Sequence, residues 1–411
     1  MLLFWPWAEA PFSEPKRWVL GLAAVVSAAL LAALLARGPR RSSAVEGATR
    51  PVSPLGRRDP WRWAPAALLP AIQQARADRL FAWRWAPVAL AAATLASALA
   101  GPSALRAASF DAVAFSLLAA CWFATGVGPR ALQATSLAGA LAATVAVLQA
   151  FGFDPFASFG PGVTGERLRV YSTLGNPDFV ASAITATLAL TFAAWKGRAA
   201  LLLALPQVAA LAATRSFATL GAVAVGAAVV AARVKIPRVL VAALAVLAVL
   251  GAGVAGRSVA GRLAGRWYLV RVAAPHLADA PFLGLGPGAV EREWPLWELD
   301  FWKQRCGNSR ACVEAHPDRR FAEAQEHVHC DWLERAVTTG WLGLAALGWV
   351  FAAAARASRR NPGLPGAAVS AGLGAFAARA VFDFPLARPA DLCVLALLLA
   401  ASSPPSTGAA P

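Results

Sequence analysis

The chain has 411 residues, of which 58% are hydrophobic and only 15% charged, and its mean hydropathy is +0.55. An average soluble domain carries about a quarter charged residues, so this composition excludes an independent water-soluble enzyme domain. The net charge of +16 would suit nucleic acid, but in so apolar a chain basic residues more often mark cytoplasmic loops, and no nucleic-acid partner is expected.

Met1 is followed directly by LLFWPW, with no basic leader and no small-residue cleavage site, so insertion is expected through the spans themselves. Trp18 to Ala36 (WVLGLAAVVSAALLAALLA) is uncharged and close to the roughly 20 residues a bilayer requires. Apolar runs between charged or Pro/Gly-rich breaks predict further spans near 85–101, 111–128, 131–152, 178–195, 199–214, 217–233, 239–256, 333–355, 365–385 and 389–403. The fold class expected is an all-α polytopic membrane protein with about eleven transmembrane helices.

The expected organisation is an N-terminal bundle over 1–256, a large loop over 257–332 and C-terminal helices over 333–411, integrated as one membrane domain. Residues 37–84, rich in Arg, Pro and Ser, read as a cytosolic linker, with an interfacial helix in the apolar run Ala64 to Ile72, which is too short to span. With the N-terminus outside, the inner segments 37–84, Arg130, Lys196 to Arg198, Arg233 to Arg238 and Arg356 to Arg360 hold 19 Lys/Arg, as the positive-inside rule requires. The 257–332 loop then faces outward, which is the periplasm if the organism is a diderm bacterium.

Cys306, Cys312 and Cys330 fall in that loop, where an oxidising compartment permits a disulfide. A Cys306–Cys312 bridge would close the CGNSRAC segment. A zinc site shared with His316, His327 and His329 is the alternative, but its spacing fits no established Cys/His pattern. Leu283 to Gly288 (LGLGPG) and Leu174 to Asp178 (LGNPD) read as turns, since neither has the context of a nucleotide-binding loop.

Ionisable groups beside a membrane are costly and mark function, and here they gather on the outer side. Arg167 and Arg169 precede the fifth span, Arg215 lies after the sixth, Arg257, Arg262, Arg266 and Arg271 follow the eighth, and Arg379 with Asp383 ends the tenth. Converging guanidinium groups suit the phosphate or pyrophosphate of an anionic or lipid-linked substrate. Arg379 and Asp383, four apart, would equally form a structural ion pair. His327 and His329 close the loop, and a histidine is suited to take a proton from a sugar hydroxyl, with Asp331 or Glu334 to orient or charge-tune it.

Several strings, RVYSTLGNPDFVA from Arg169, TRSFATLG from Thr214, the segment Gly265 to Gly288, His329 to Gly343 and RAVFDFPL from Arg379, together resemble the O-antigen ligase family of bacterial membrane glycosyltransferases. That family includes O-antigen ligases, some polymerases and protein O-oligosaccharyltransferases. The resemblance runs through most of the second half of the chain; the first half is similar only in hydropathy. It implies a GT-C-like helical bundle in the inner membrane whose periplasmic face transfers a glycan from undecaprenyl pyrophosphate, without cofactor or metal. The acceptor would be lipid A-core or another glycan, and membrane lipids would be the surroundings.

Carried over by position, the resemblance implies His329 and Arg266 as catalytic residues. The expected substrate-binding set is Arg215, Arg169, Asn176, Arg271, His327, Arg379 and Asp383. Departures include Cys330 where Asn is usual, Thr338 where an acidic residue is common, Arg379 where His often precedes the Asp-Phe-Pro, and Arg215 before rather than after the serine. The competing expectations are a polymerase of the same family and a transporter or flippase for a lipid-linked glycan, which would need charge deep in the spans.

Overall fold

A computed structural model of the chain describes residues 85–101, 111, 115, 129–155, 170–234 and 260–402. The predicted spans at 18–36 and 239–256, most of the span at 111–128, and the whole of the 37–84 linker lie outside them. The described residues are helical with no strand: α1 Ala86–Ala100, α2 Pro129–Ala150, α3 Pro177–Ala194, α4 Gly197–Thr214, α5 Phe217–Arg233, α6 through 260–273, α7 Ala289–Cys306, α8 Arg310–Ala315, α9 Asp331–Ser358, α10 Gly363–Arg379 and α11 Pro389–Ser402. By length and composition α2, α3, α4 and α9 can cross a membrane; α1, α5 and α11 are shorter apolar helices.

The elements begin and end where local chemistry stops a helix. Asn176 caps α3 by accepting the Asp178 N–H at 2.8 Å, with Pro177 in the first turn, where its missing N–H costs nothing. The predicted span over 365–385 is shorter than expected. It stops at Arg379 because the chain turns through Ala380–Phe384 into the 3₁₀ turn Pro385–Ala387.

Within the apolar helices a small polar zipper joins three of them. Ser136 of α2 meets Thr191 of α3 at 2.7 Å, and Gln207 of α4 donates to Thr191 at 2.8 Å and accepts from Thr187 at 3.1 Å. Helices as apolar as their surroundings gain little from burial, so such bonds and close packing hold them together. A larger core of Leu190, Leu347, Val350, Leu373, Phe376, Leu395 and Leu398 joins α3, α9, α10 and α11.

The chain runs back and forth, so the helix ends gather in two groups. At one end lie the finish of α2, the start of α3, the α4–α5 turn, the start of α9 and the α10–α11 turn. They are joined by Ser172 Oγ to Ala142 O (2.6 Å), Ser216 Oγ to Asp178 (2.6 Å), Asp331 N–H to Ala380 O (2.8 Å) and Arg388 to Ser182 (3.3 Å). The opposite end carries Arg130, Lys196, Arg198, Arg233, Arg356, Arg359 and Arg360.

There Arg233 donates to Gly366 O (2.7 Å), Ser358 O (3.0 Å), Asn361 O (3.0 Å) and Ser370 Oγ, satisfying carbonyls that the end of α9 leaves open. Arg233→Ala is expected to lose about 3 kcal/mol or more, since hydrogen bonds to a charged group each contribute roughly 1.5–3. The check is a lower melting temperature of the purified protein.

Residues 260–328 form a folded cap rather than an open loop. Tyr268, Leu269, Val272, Val290, Trp294, Trp297, Phe301 and Trp302 make its core, Tyr268 and Phe301 meeting edge to face at 5.3 Å. Cys306 and Cys312 form a disulfide, which takes two ligands from the alternative zinc site.

The cap is clipped into α9. The helix breaks at Gly340 (φ 67°, ψ −170°), and the backbone groups freed there are taken up by the LGLGPG segment and the residues before it. Leu285 N–H donates to Val337 O and Gly286 N–H to Thr338 O, both at 2.9 Å, and Trp341 N–H donates to Pro281 O at 2.8 Å. Broken backbone among apolar helices is tolerated where protein supplies the missing partners. A Cβ on Gly340 would lie 2.3 Å from the Phe282 carbonyl group. Gly340→Ala is therefore expected to abolish folded protein on a size-exclusion trace, whereas Gly348→Ala, with open space around it, should be tolerated.

Candidate functional site

His329 lies between the cap and α9 with a left-handed backbone, φ 56°, a conformation that costs a non-glycine residue energy and persists only when its surroundings impose it. They do so from both sides. The Val328 N–H is bound by Glu334 Oε2 at 3.1 Å, and the Asp331 N–H by Ala380 O at 2.8 Å. The Asp331 carboxylate in turn accepts from Leu386 N–H at 2.9 Å.

The Phe384 ring is the common wall. His327 stacks on it at 4.5 Å and 20°, His329 meets it edge-on at 4.6 Å and 80°, and Phe179 meets it edge-on at 6.2 Å. Neither Asp331 nor Glu334 hydrogen-bonds His329, so neither orients it, and Glu334 acts on it only through its charge. Glu334 is spent on His327, whose Nδ1 lies 2.8 Å from Oε1, and Asp331 is spent on backbone. Packing and the strained backbone orient His329 instead.

The two imidazoles are driven apart electrically. Burial, then the Arg266 guanidinium, push His329 down to about 3, so it stands neutral through the physiological range. His327 is raised, because Glu334 outweighs the burial that would lower it. His329 Nδ1 is buried with no hydrogen-bond partner, which leaves Nε2 as the atom that can exchange a proton with a ligand.

The arginines divide into two groups. Arg379 is buried and donates to Thr219 Oγ1 (2.5 Å), Asp178 O (2.6 Å) and Asp383 (2.8 Å). Arg388 donates to the same Asp383 oxygen at 2.8 Å, reaches Asp391 at 2.7 Å, and lies over Phe179 and Phe384. Arg271 is tied to Asp318 at 2.7 Å inside the cap. These three are committed to carboxylates, so the Arg379–Asp383 pair has the structural form anticipated as its alternative. Arg388→Ala is expected to reduce folded protein, because it strips a partner from buried Asp383 and Asp391, and breaking a buried pair costs about 3–5 kcal/mol. Folded yield and melting temperature are the readouts.

Arg266 is different. It faces Asp383 and Asp178, yet burial prevails and lowers it from its usual value. It makes no hydrogen bond or ion pair among the described residues and is the cation that acts most strongly on His329. Arg215 is exposed in a left-handed turn, φ 50°. Arg262, also exposed, lies 5.7 Å over the Phe217 ring; neither has a carboxylate partner among the described residues. Arg167, Arg169 and Arg257 lie outside the described residues, and Asn176 is engaged as a helix cap.

Three participants escaped the sequence reading. Phe384 and Arg388 were not singled out, and Asp178 read as part of the LGNPD turn. The signal available for Arg388 was the alternation Arg379, Asp383, Arg388, Asp391 in an otherwise apolar stretch, which is too costly to be incidental.

Among the described residues no three His, Cys, Asp or Glu side chains are grouped to hold a metal ion. The sequence matches no protein-family model and no curated protein. The arrangement itself is a neutral, immobilised imidazole beside an uncommitted guanidinium, with Arg215 on the α4–α5 turn and Arg262 of α6 over Phe217 of that turn, neither paired to a carboxylate among the described residues. It can accept a proton and hold an anion side by side.

Proposed function

We propose that the chain is a metal-independent inverting glycosyltransferase of the inner membrane, an O-antigen ligase that moves a glycan from undecaprenyl pyrophosphate to lipid A-core on the periplasmic side. The observation that carries this reading is the pairing of neutral His329 with uncommitted Arg266. The eleven-span topology belongs to the same proposal. Its sidedness is supported by the seven cations at the end away from the site, which the positive-inside rule assigns to the cytoplasm.

Arg266, with Arg215 and Arg262, binds the donor pyrophosphate. His329 Nε2 takes the proton of the acceptor hydroxyl, whose oxygen attacks the anomeric carbon as the bond to the pyrophosphate oxygen breaks. The guanidinium groups stabilise the charge that grows on the leaving lipid pyrophosphate. A base pushed down to about 3 is weak, and the donor corrects this: its negative charge offsets Arg266 and raises the imidazole toward a useful value.

The test is the lipopolysaccharide gel profile of a deletion strain, with carrier-linked glycan assayed alongside. Loss of the whole ladder with long glycans stranded on the carrier is expected. Lipopolysaccharide capped by a single repeat unit would mean a polymerase with the same donor chemistry. An unchanged profile would overturn the ligase reading and redirect the search to exopolysaccharide or glycoprotein acceptors, or to the transporter alternative.

A further inference from the structure

At the basic end, away from His329, a cavity of about 280 Å³ opens between α5, α9 and α10. Its walls are apolar, formed chiefly by Val229, Phe351, Ala355, Leu373 and Ala377, and Arg233 and Arg359 also line it. From Phe351 to Arg359 is eight helical residues, about 12 Å of rise, most of the roughly 15 Å hydrocarbon depth of one leaflet. The shape is therefore suited to a chain running along the membrane normal, with a mostly apolar wall and the polar groups Arg233, Ser370 and Arg359 also in its lining.

The two arginines are not equivalent. Arg233 has its donors on carbonyls and Ser370, so it fixes the cavity's shape. Arg359 is exposed, and its side chain has no partner among the described residues. A free guanidinium above an apolar slot matches a phosphate joined to an acyl chain, and basic pockets between helices are suited to anionic headgroups.

We propose that this cavity binds one acyl chain of an anionic phospholipid, with the lipid phosphate on Arg359. The site is separate from the glycosyl-transfer site and rests on the membrane placement of the helices, not on the proposed chemistry. The leaflet is the one at the basic end.

The test is native mass spectrometry of the full-length protein in detergent, given phosphatidylglycerol or phosphatidylethanolamine with identical acyl chains. Wild type is expected to retain phosphatidylglycerol about fivefold better, the equivalent of roughly 1 kcal/mol from one arginine near the headgroups. Arg359→Ala should bring the two lipids to parity, and Ala355→Phe, which fills the slot, should release both. Ala232→Phe fills it from α5 and serves if Ala355→Phe does not fold. Equal retention of the two lipids by wild type, undiminished preference in Arg359→Ala, or full retention by a folded slot-filled variant would each overturn the proposal, the last by placing the lipid elsewhere.

Discussion

His329→Ala is expected to lower glycan transfer by about 10²–10⁴-fold, the usual contribution of a positioned general base, while the protein stays inserted and folded. The side chain makes no hydrogen bond among the described residues; its ring only meets Phe384, so removing it breaks no hydrogen bond or ion pair. The informative measurement is the pH profile. In the free protein His329 is pushed down to about 3 by burial and Arg266, so kcat/KM for the donor should show no acid limb from this group above about pH 4. Bound pyrophosphate adds negative charge, which favours the imidazolium and raises the value. The acid limb of kcat should therefore lie at higher pH than that of kcat/KM. Coincident limbs, or full activity of a well-expressed His329→Ala protein, would remove His329 from the chemistry.

Arg266→Ala is expected to cost about 10²–10³-fold in kcat, the scale of losing one donor to a developing negative charge, together with a raised KM for the donor. Arg266→Lys should recover part of the loss, since it restores the charge but not the planar fork that grips a phosphate. A second signature separates Arg266 from a merely structural arginine. Because it depresses His329, its removal should move the acid limb of kcat/KM upward. The committed arginines behave otherwise: Arg388→Ala acts on folded yield, through Asp383 and Asp391, before any effect on kinetics is measurable. An Arg266→Ala protein with unchanged donor KM and an unmoved pH profile would place pyrophosphate binding elsewhere.

The helices were legible because a bilayer-length apolar run has few readings. The predicted spans 131–152, 178–195, 199–214 and 333–355 correspond to α2, α3, α4 and α9. The break in α9 was not legible. Thr338, Thr339 and Gly340 read as continuous helix, and only the arrival of Pro281 to Gly286 from the cap gives the interrupted backbone its partners. The division of the arginines was equally hidden, since Arg266 and Arg271 stand five residues apart in one cationic stretch. Whether either has a carboxylate depends on Asp318, 47 positions beyond Arg271.

The sequence by itself determined the apolar helical character of the chain, the gathering of cations opposite the candidate site, and the shortlist that contained His329 and Arg266. These are local properties, set by composition and by the cost of placing charge in hydrocarbon. Only the tertiary structure decided that Glu334 serves His327 while burial beside Arg266 keeps His329 neutral, and that Asp383 consumes Arg379 and Arg388 while Arg266 stays free. Ionisation and availability depend on which groups are brought within hydrogen-bond reach, and that is fixed by packing between helices far apart in the chain.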